Sequence, residues 1–141
     1  MTPISFSLDP RLSADTMWLC DWPLCALLLM KDRRYPWIIL VPRRNAASEV
    51  FDLNPADQAQ LWREVGHAAE LMKSYTRCRK MNIGALGNVV LQLHVHVVAR
   101  QLGDFAGNGP VWGHGAAEAY VQPELDVQVE GLRRLLHPPE N

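Results

Sequence analysis

Short apolar runs alternate with polar, proline-bounded segments along this chain, a pattern typical of a sheet with few helices. The runs Cys25–Met30 and 37–41 are apolar without interruption, and Pro23, Pro36 and Pro42 bound them. Continuous apolar runs of this length between proline signals indicate buried strands. We therefore predict two neighbouring strands that form a hairpin.

A long helix is predicted to begin at Pro55. Asn54 can cap it, proline suits the first helical position, and Asp57 favours the positive end of a helix. Apolar residues then recur at helical spacing to about residue 75: Leu61, Val65, Ala68 or Ala69, and Met72.

The remaining segments complete the prediction. They are a short helix or turn over 8–19, a strand over 77–83, a turn over 84–88, a strand over 90–99, a Gly/Pro-rich loop over 103–115 and an amphipathic helix over 124–136. Strands in succession with one long helix between them favour an antiparallel α+β fold. No linker divides the chain, so we expect one domain over residues 1–141, with its core at about 20–100 and a C-terminal loop and helix over 103–136.

The predicted strand 90–99 alternates strictly between two residue classes. Apolar side chains point one way: Leu91, Leu93, Val95 and Val97. Gln92, His94 and His96 point the other way, as the period of two of a half-buried strand requires. This strand would present an amide and two imidazoles about 6–7 Å apart on one face.

Length and charge exclude several function classes. The chain has 141 residues and a formal net charge of −1, so it carries no overall basic field and we expect no nucleic-acid partner. Four arginines lie close in sequence: Arg33, Arg34, Arg43 and Arg44. They could meet a small anion, or they could belong to a solvated loop and strand end.

Cysteine usage and the N-terminus favour a cytoplasmic location. Cys20, Cys25 and Cys78 are odd in number and lack the spacing of a disulfide framework or a zinc site. The first nine residues lack the basic and apolar regions of a secretory signal. The longest apolar runs are far shorter than a membrane span, so we expect no membrane association.

Around the histidines the sequence resembles a known family. Gln92-Leu93-His94-Val95-His96-Val97-Val98 is similar to the signature of the histidine triad (HIT) superfamily, His-φ-His-φ-His-φ-φ with φ apolar, except that Gln92 replaces the first histidine. The upstream Asn82-x-Gly84…Gly87-Asn88 resembles the phosphate loop of the family. The segment 110–113 resembles a bacterial branch that also begins its triad with Gln. The resemblance implies a HIT-like α+β fold with a sheet of about five strands, packed against the long helix, and a homodimer.

The resemblance also implies an activity. It is hydrolysis or nucleotidyl transfer at the α-phosphate of a purine nucleotide derivative, for example a dinucleoside polyphosphate or a nucleoside phosphoramidate, through a covalent nucleotidyl-histidine. His94 would be the nucleophile, and its second ring nitrogen must donate to a fixed acceptor to hold the reactive tautomer. His96, when protonated, would stabilise the developing charge, while Gln92 and Asn88 would hold phosphate oxygens. The covalent step requires no metal or other cofactor, although Mg²⁺ could accompany a polyphosphate.

Further residues are candidates for the site. Gly87, with Gly84, lets backbone N–H groups turn toward an anion. Asp32 matches a ribose-binding position of relatives, or it is an exposed turn residue. Asn82 could orient the loop or the ribose, or form a turn.

Two residues bear on the expected rate of turnover. Many relatives carry a hydroxyl where Val89 stands, so Val89 and Gln92 together predict slow turnover.

Trp112 and His114 could close over the site from the tail, or pack on the surface. Apolar walls for a base could come from any of four residues: Leu27, Leu29, Trp37 and Ile39.

Two other functions stay open at this point. The chain could be a nucleotide-binding sensor or partner-binding module with little turnover. It could also be a small zinc-binding protein that uses His94 and His96, although a zinc site needs a third and usually a fourth ligand.

Overall fold

A computed structural model describes residues 5–140 as one five-stranded antiparallel sheet with three helices. The strands are β1 (Thr16–Asp21), β2 (Cys25–Met30), β3 (Trp37–Pro42), β4 (Lys80–Gly84) and β5 (Val95–Arg100), in the spatial order β1-β2-β3-β5-β4. The helices are α1 (Pro10–Asp15), α2 (Pro55–Thr76) and α3 (Gln122–Leu135), and a 3₁₀ turn covers Val50–Asp52. The predicted α+β class and the five-stranded sheet are confirmed.

Helix α2 begins and ends as its local chemistry requires. The Asn54 side chain accepts from the Asp57 backbone N–H at 2.8 Å, and Pro55 opens the first turn. Arg77 ends the helix in the left-handed conformation, at φ +56°. Among residues 5–140, no helix is long and apolar enough to cross a membrane.

The two faces of the sheet carry two separate apolar clusters, because neighbouring strand residues point to opposite faces. Ile38 and Leu40 belong to the larger cluster, together with buried residues of α2 and α3. Trp37 and Ile39 belong to the smaller one, which includes Leu12 of α1. Helix α1 and the C-terminal loop cover the second face of the sheet. The histidines lie on this face.

The predicted helix or turn over 8–19 is wrong beyond Asp15. The chain leaves the helix at Thr16, at φ −134° and ψ 164°, and continues as β1 beside β2. The Thr16 hydroxyl donates to the Leu12 carbonyl at 2.7 Å and closes the last turn of α1. Only some residues of β1 are buried, in contrast to β2 and β3. No continuous apolar run therefore marks this strand in the sequence.

Strand β5 begins at Val95, not at residue 90. The preceding residues form an irregular loop, and the Leu93 N–H donates to the Ala47 carbonyl instead of to a neighbouring strand. Leu91 is 67% exposed, so the predicted alternation fails at this residue. Strand β4 likewise begins later than predicted, at Lys80, because residue 77 still caps α2.

Candidate active site

His94 lies directly before β5 and has one fixed hydrogen-bond partner. Its Nδ1 lies 2.7 Å from the Gln92 carbonyl oxygen. A carbonyl oxygen can only accept, so Nδ1 carries the proton and Nε2 keeps an unshared electron pair. This is the arrangement that a nucleophilic imidazole requires.

Both ring nitrogens of His96 are engaged. Its Nδ1 accepts from the indole N–H of Trp37 at 3.0 Å, and its Nε2 lies 3.2 Å from the Leu86 carbonyl oxygen. Because an indole nitrogen can only donate, the proton of His96 is on Nε2.

The surroundings keep His96 uncharged. Burial and the nearby His94 lower the pKa of His96 to about 4, against a smaller opposing effect of the bond to Leu86. The role expected of a protonated His96 stays a prediction, since a ring with this pKa is neutral at pH 7. A neutral ring can still donate one hydrogen bond from Nε2.

Aromatic rings enclose the two histidines. The centroids of His94 and His96 are 4.9 Å apart and their planes are inclined at 69°. The Trp37 and Trp112 rings contact His96 edge-on, at 5.6 and 5.4 Å between centroids. Of the two tail residues proposed for the site, Trp112 thus reaches it. His114 is exposed and does not line it.

The loop before β5 approaches His94 so closely that residue 87 must be glycine. A Cβ on Gly87 would lie 2.5 Å from the Val90 carbonyl oxygen and 3.0 Å from Cε1 of His94. Gly84 has a related role, because a Cβ there would lie 3.3 Å from the Trp112 ring. Because these two positions have no Cβ, the loop backbone can lie close to His94 and the Trp112 ring can lie close to β4.

Two hollows meet at His94. The first, which we call the apolar hollow, has a volume of about 350 Å³ and is lined mainly by apolar side chains: Leu12, Asp15, Met30, Trp37, Ile39, Leu86, Gly87, Asn88, Val89, Val90, His94, His96 and Trp112. The second, the polar hollow, has a volume of about 240 Å³ and is lined by Ser48, Glu49, Ala85, Gly87, Asn88, Val90, Leu91, Gln92, Leu93 and His94. Asn88 lines both hollows, as His94 does.

The Gln92 side chain binds the N-terminal segment. Its Oε1 accepts from the Asp9 N–H at 2.8 Å, and its Nε2 donates to the Ser7 carbonyl at 2.9 Å. The Gln92 amide therefore anchors the chain before α1, while its backbone carbonyl holds His94. A direct contact with phosphate stays a prediction and requires these bonds to exchange.

Asp32 and Asn82 lie outside both hollows. Asp32 is 1% exposed, and its carboxylate accepts from the Arg34 guanidinium at 2.8 Å. Burial raises the pKa of Asp32, but the hydrogen bonds from Arg34 and Glu118, together with the Arg34 charge, lower it below its ordinary value. Asn82 accepts from Arg100 at 3.0 Å and lines a different surface depression. The carboxylate that does line the apolar hollow is Asp15, which the sequence did not single out because its segment was read as helix or turn.

The four neighbouring arginines do not form a free basic patch. Each lies within 4 Å of a carboxylate: Arg33 of Glu118 and Glu124, Arg34 of Asp32, Arg43 of Asp21, and Arg44 of Asp57. None of them lines either hollow. The alternative that they meet an anion at this site is not supported.

Residues 5–140 contain no group of three or more His, Cys, Asp or Glu side chains arranged to hold a metal ion. The two histidines use three of their four ring nitrogens within the protein. This donor set does not fit a structural zinc ion, which needs four ligands.

The chain is similar to one family of known proteins and to several solved structures. The family described as "HIT domain" matches residues 11–103. A histidine triad protein from Bradyrhizobium japonicum shares 45% identity at a TM-score of 0.90, covering 94% of this chain and 98% of its own. A histidine triad protein from Sinorhizobium meliloti 1021 shares 47% identity at a TM-score of 0.89, and the match covers 93% of this chain and 97% of that protein. A histidine triad protein from Marinobacter aquaeolei VT8 shares 40% identity at a TM-score of 0.91, and the match covers 94% of this chain and 96% of that protein. No curated protein matched the sequence.

Proposed function

The chain belongs to the HIT domain family, and on that premise we propose that it is a nucleotide hydrolase or nucleotidyl transferase acting at the α-phosphate of a purine nucleotide derivative. Dinucleoside polyphosphates and nucleoside phosphoramidates are the candidate substrates. The observation that carries the proposal is the bond from Nδ1 of His94 to the Gln92 carbonyl. It leaves Nε2 without a partner among residues 5–140, on a side chain that lines both hollows.

His94 acts as the nucleophile in this proposal. Its Nε2 attacks the α-phosphorus, a P–N bond forms, and the bond from phosphorus to the leaving group breaks with its electron pair on the leaving group. The imidazole ring gains positive charge, which the Nδ1–H bond to the Gln92 carbonyl stabilises. Water then attacks the phosphorus and releases the nucleoside monophosphate and free His94.

His96 acts as a neutral hydrogen-bond donor. Its Nε2–H now faces the Leu86 carbonyl at 3.2 Å, a long bond that can be exchanged for one to a phosphate oxygen. Placed donors of this kind stabilise a transition state by roughly 3 kcal/mol. The Asn88 amide, which lines both hollows, supplies a further donor, and Gly87 keeps the loop backbone close to His94.

The apolar hollow is proposed to hold the nucleoside. Trp37 and Ile39, two of the four predicted base walls, line it together with Leu12, Met30 and Trp112. Leu27 and Leu29 instead belong to the core on the opposite face of the sheet. The exposed Asp15 carboxylate at this hollow can accept hydrogen bonds from ribose hydroxyls.

Assembly and cofactor requirements complete the proposal. We expect a homodimer with α2 and a strand at the interface, as the family resemblance implies, and a cytoplasmic location. The covalent step uses ring nitrogens, the Asn88 amide and backbone groups, so we expect it to require no metal, although Mg²⁺ can accompany a polyphosphate substrate.

The proposal is tested by measuring turnover and binding together. Wild type and His94→Ala are incubated in chelator with α-labelled adenosine phosphoramidate and diadenosine polyphosphates, and their affinity for AMP is measured. We expect release of labelled AMP by wild type, loss of that release in the variant, and similar AMP affinity in both. AMP binding without turnover in wild type would favour the binding-module alternative instead.

A further inference from the structure

The segment that carries Trp112 belongs to no helix or strand. It joins β5 to α3 over residues 101–121. The backbone bonds inside residues 104–114 are turn bonds between near neighbours, such as the bond from the Gly109 N–H to the Ala106 carbonyl at 3.0 Å. Bonds this local do not fix a segment relative to a sheet. The side-chain contacts that attach residues 104–114, which we call the Trp112 loop, therefore decide where the Trp112 ring lies.

Arg100, the last residue of β5, attaches the start of this loop. It is 7% exposed, and its guanidinium makes five hydrogen bonds, as many as it has N–H donors. Two go to the Asp104 carboxylate at 2.8 Å, one to the Gly107 carbonyl at 3.0 Å and one to the Gly109 carbonyl at 2.7 Å. The fifth goes to the Asn82 side-chain oxygen on β4 at 3.0 Å. One buried side chain thus binds the loop to two strands.

A second buried arginine attaches the far end of the loop. Nη1 of Arg34 donates to the His114 carbonyl at 2.8 Å, and the Arg34 side chain is 6% exposed. Arg34 and Arg100 lie against the same ring, since their guanidinium carbons are 5.2 and 5.7 Å from the centroid of Tyr35. The loop is therefore held on both sides of Trp112.

The Trp112 ring lies over one residue pair of β4 and β5. Gly84 and His96 are register partners. The Trp112 ring centroid is 5.4 Å from that of His96, and a Cβ on Gly84 would lie 3.3 Å from the Trp112 ring. Arg100 is four residues after His96 and projects from the same face of β5. Because Trp112 lines the apolar hollow, the loop that Arg100 holds supplies one wall of that hollow.

We infer that Arg100 and Asp104 are positioning residues for nucleoside binding, which act on the apolar hollow through Trp112. The inference rests on the proposed function, which assigns the nucleoside to that hollow. Neither Arg100 nor Asp104 lines either hollow, so their effect on a ligand passes through the loop. Loss of their bonds weakens binding of the nucleoside, whereas the bond that holds His94 to the Gln92 carbonyl is left intact.

The test uses two conservative substitutions, because removal of one partner of a buried ion pair leaves the other charge unpaired. Asp104→Asn keeps the size of the side chain and removes its charge. Arg100→Lys keeps the charge but loses the fork of N–H donors that binds the carboxylate and the loop carbonyls together. Each substitution is also made in a Trp112→Ala background. Glu130→Gln is the control, since Glu130 and Arg134 form an exposed ion pair on α3.

The full chain is used for every measurement. These are kcat and KM for adenosine phosphoramidate, the Kd for AMP by calorimetry, hydrogen exchange of residues 104–114, and the free energy of unfolding in urea. For Asp104→Asn and Arg100→Lys we expect KM and Kd to rise about tenfold, within the range for loss of an aromatic contact with a base. Exchange of the Trp112 loop should become faster, and kcat should stay near that of wild type.

The Trp112→Ala background separates positioning from general destabilisation. Trp112→Ala alone should weaken AMP binding. In that background, Asp104→Asn and Arg100→Lys should leave KM and Kd unchanged, because residues that act through a shared partner are not additive. Glu130→Gln should change none of these quantities.

Three results decide against the inference or its premise. Unchanged AMP affinity in Trp112→Ala would overturn it even where the ion-pair variants fail to fold. Unchanged KM and Kd in folded Asp104→Asn and Arg100→Lys, or effects that add to that of Trp112→Ala, would overturn it while the proposed function survives. Absence of turnover in wild type would remove the proposed hydrolysis, and AMP affinity and hydrogen exchange would still test the positioning role.

Discussion

The indole N–H of Trp37 donates to Nδ1 of His96 at 3.0 Å. Position 37 opens β3, and its register partner Val98 lies two residues from His96 on β5, so both side chains project from the same face of the sheet. The bond places the single proton of His96 on Nε2. The third triad position is therefore a neutral donor whose orientation depends on a neighbouring strand.

Trp37→Phe tests this dependence. It removes the donor to Nδ1 but keeps an aromatic ring, so His96 can adopt either tautomer. A neutral hydrogen bond is worth about 1 kcal/mol, and we expect kcat to fall roughly fivefold to tenfold and the pKa of His96 to rise only slightly, because burial and His94 still lower it. NMR titration of His96 and the pH profile of kcat measure the two effects.

Trp112→Phe is the matched control for that variant. Trp112 also contacts the His96 ring edge-on, but its buried Nε1 has no hydrogen-bond partner among residues 5–140. Loss of this N–H should leave the pKa of His96 and the pH profile of kcat where they are in wild type. Equal effects of the two substitutions would show that ring packing, not the indole donor, controls His96.

Protein stability should fall between pH 6.5 and pH 4.5 because of His96. Its pKa is about 4 in the folded protein and about 6.5 in an unfolded chain. The unfolded chain therefore binds a proton over this range that the folded protein does not, and about 2–3 kcal/mol is lost by pH 4.5. Urea unfolding of wild type and His96→Asn at pH 7.5 and 4.5 measures the difference.

The carboxylates whose pKa is lowered in the folded protein do not contribute in that window. The pKa values of Asp9, Asp52 and Asp104 lie below their ordinary value near 4, so these groups lose stabilisation only at lower pH. A wild-type pH dependence that His96→Asn retains in full would contradict a depressed pKa at His96.

Gly87→Ala should disable the site more than it destabilises the fold. The added Cβ would meet the Val90 carbonyl and the His94 ring, and overpacking of this kind costs about 1–3 kcal/mol. The backbone must move, which displaces His94, so we expect at least a 100-fold loss of kcat/KM. Gly66→Ala is the control, since a Cβ there meets nothing within 4 Å and alanine favours a helix by about 1 kcal/mol. Activity near wild type in Gly87→Ala would show that the close approach of the loop is unnecessary.

Gln92→Ala should release the N-terminal segment. The substitution removes the bonds to Asp9 N–H and Ser7 carbonyl but keeps the backbone carbonyl that holds His94. We expect faster hydrogen exchange at Asp9 and a moderate loss of kcat, on the order of the tenfold that about 1.4 kcal/mol represents. Gln122→Ala, which removes an exposed side-chain bond on α3, is the control. Unchanged exchange at Asp9 would contradict the anchoring role.

The fold was predictable where sequence patterns are strong. Apolar runs between prolines identified β2 and β3, and the Asn54 cap with Pro55 identified the start of α2. Strand β1 was missed because Asp9 and Pro10 give a valid helix start and the following strand is only partly buried. The start of β5 was missed because alternation continues in sequence through Leu91, although the chain there is a loop.

The site was predictable as a motif but not as a geometry. His94 and His96 were identified from the alternation of their strand and the resemblance of their motif. The low pKa of His96 instead depends on burial and on His94, and its tautomer depends on Trp37, which comes from a strand far away in sequence. Asp32 was assigned to the ribose from its position after β2, but Arg34, two residues later, occupies its carboxylate. Asp15 reaches the apolar hollow through the α1–β1 junction, which local patterns did not show.

The central claim is that Nε2 of His94 attacks phosphorus. Rapid acid-free quenching of wild type with an α-labelled adenosine phosphoramidate, followed by peptide mass spectrometry, measures it most directly. We predict an acid-labile adenylyl group on His94 of wild type and no adduct in His94→Ala. An adduct that persists in His94→Ala, or that is mapped to another residue, would contradict the assignment.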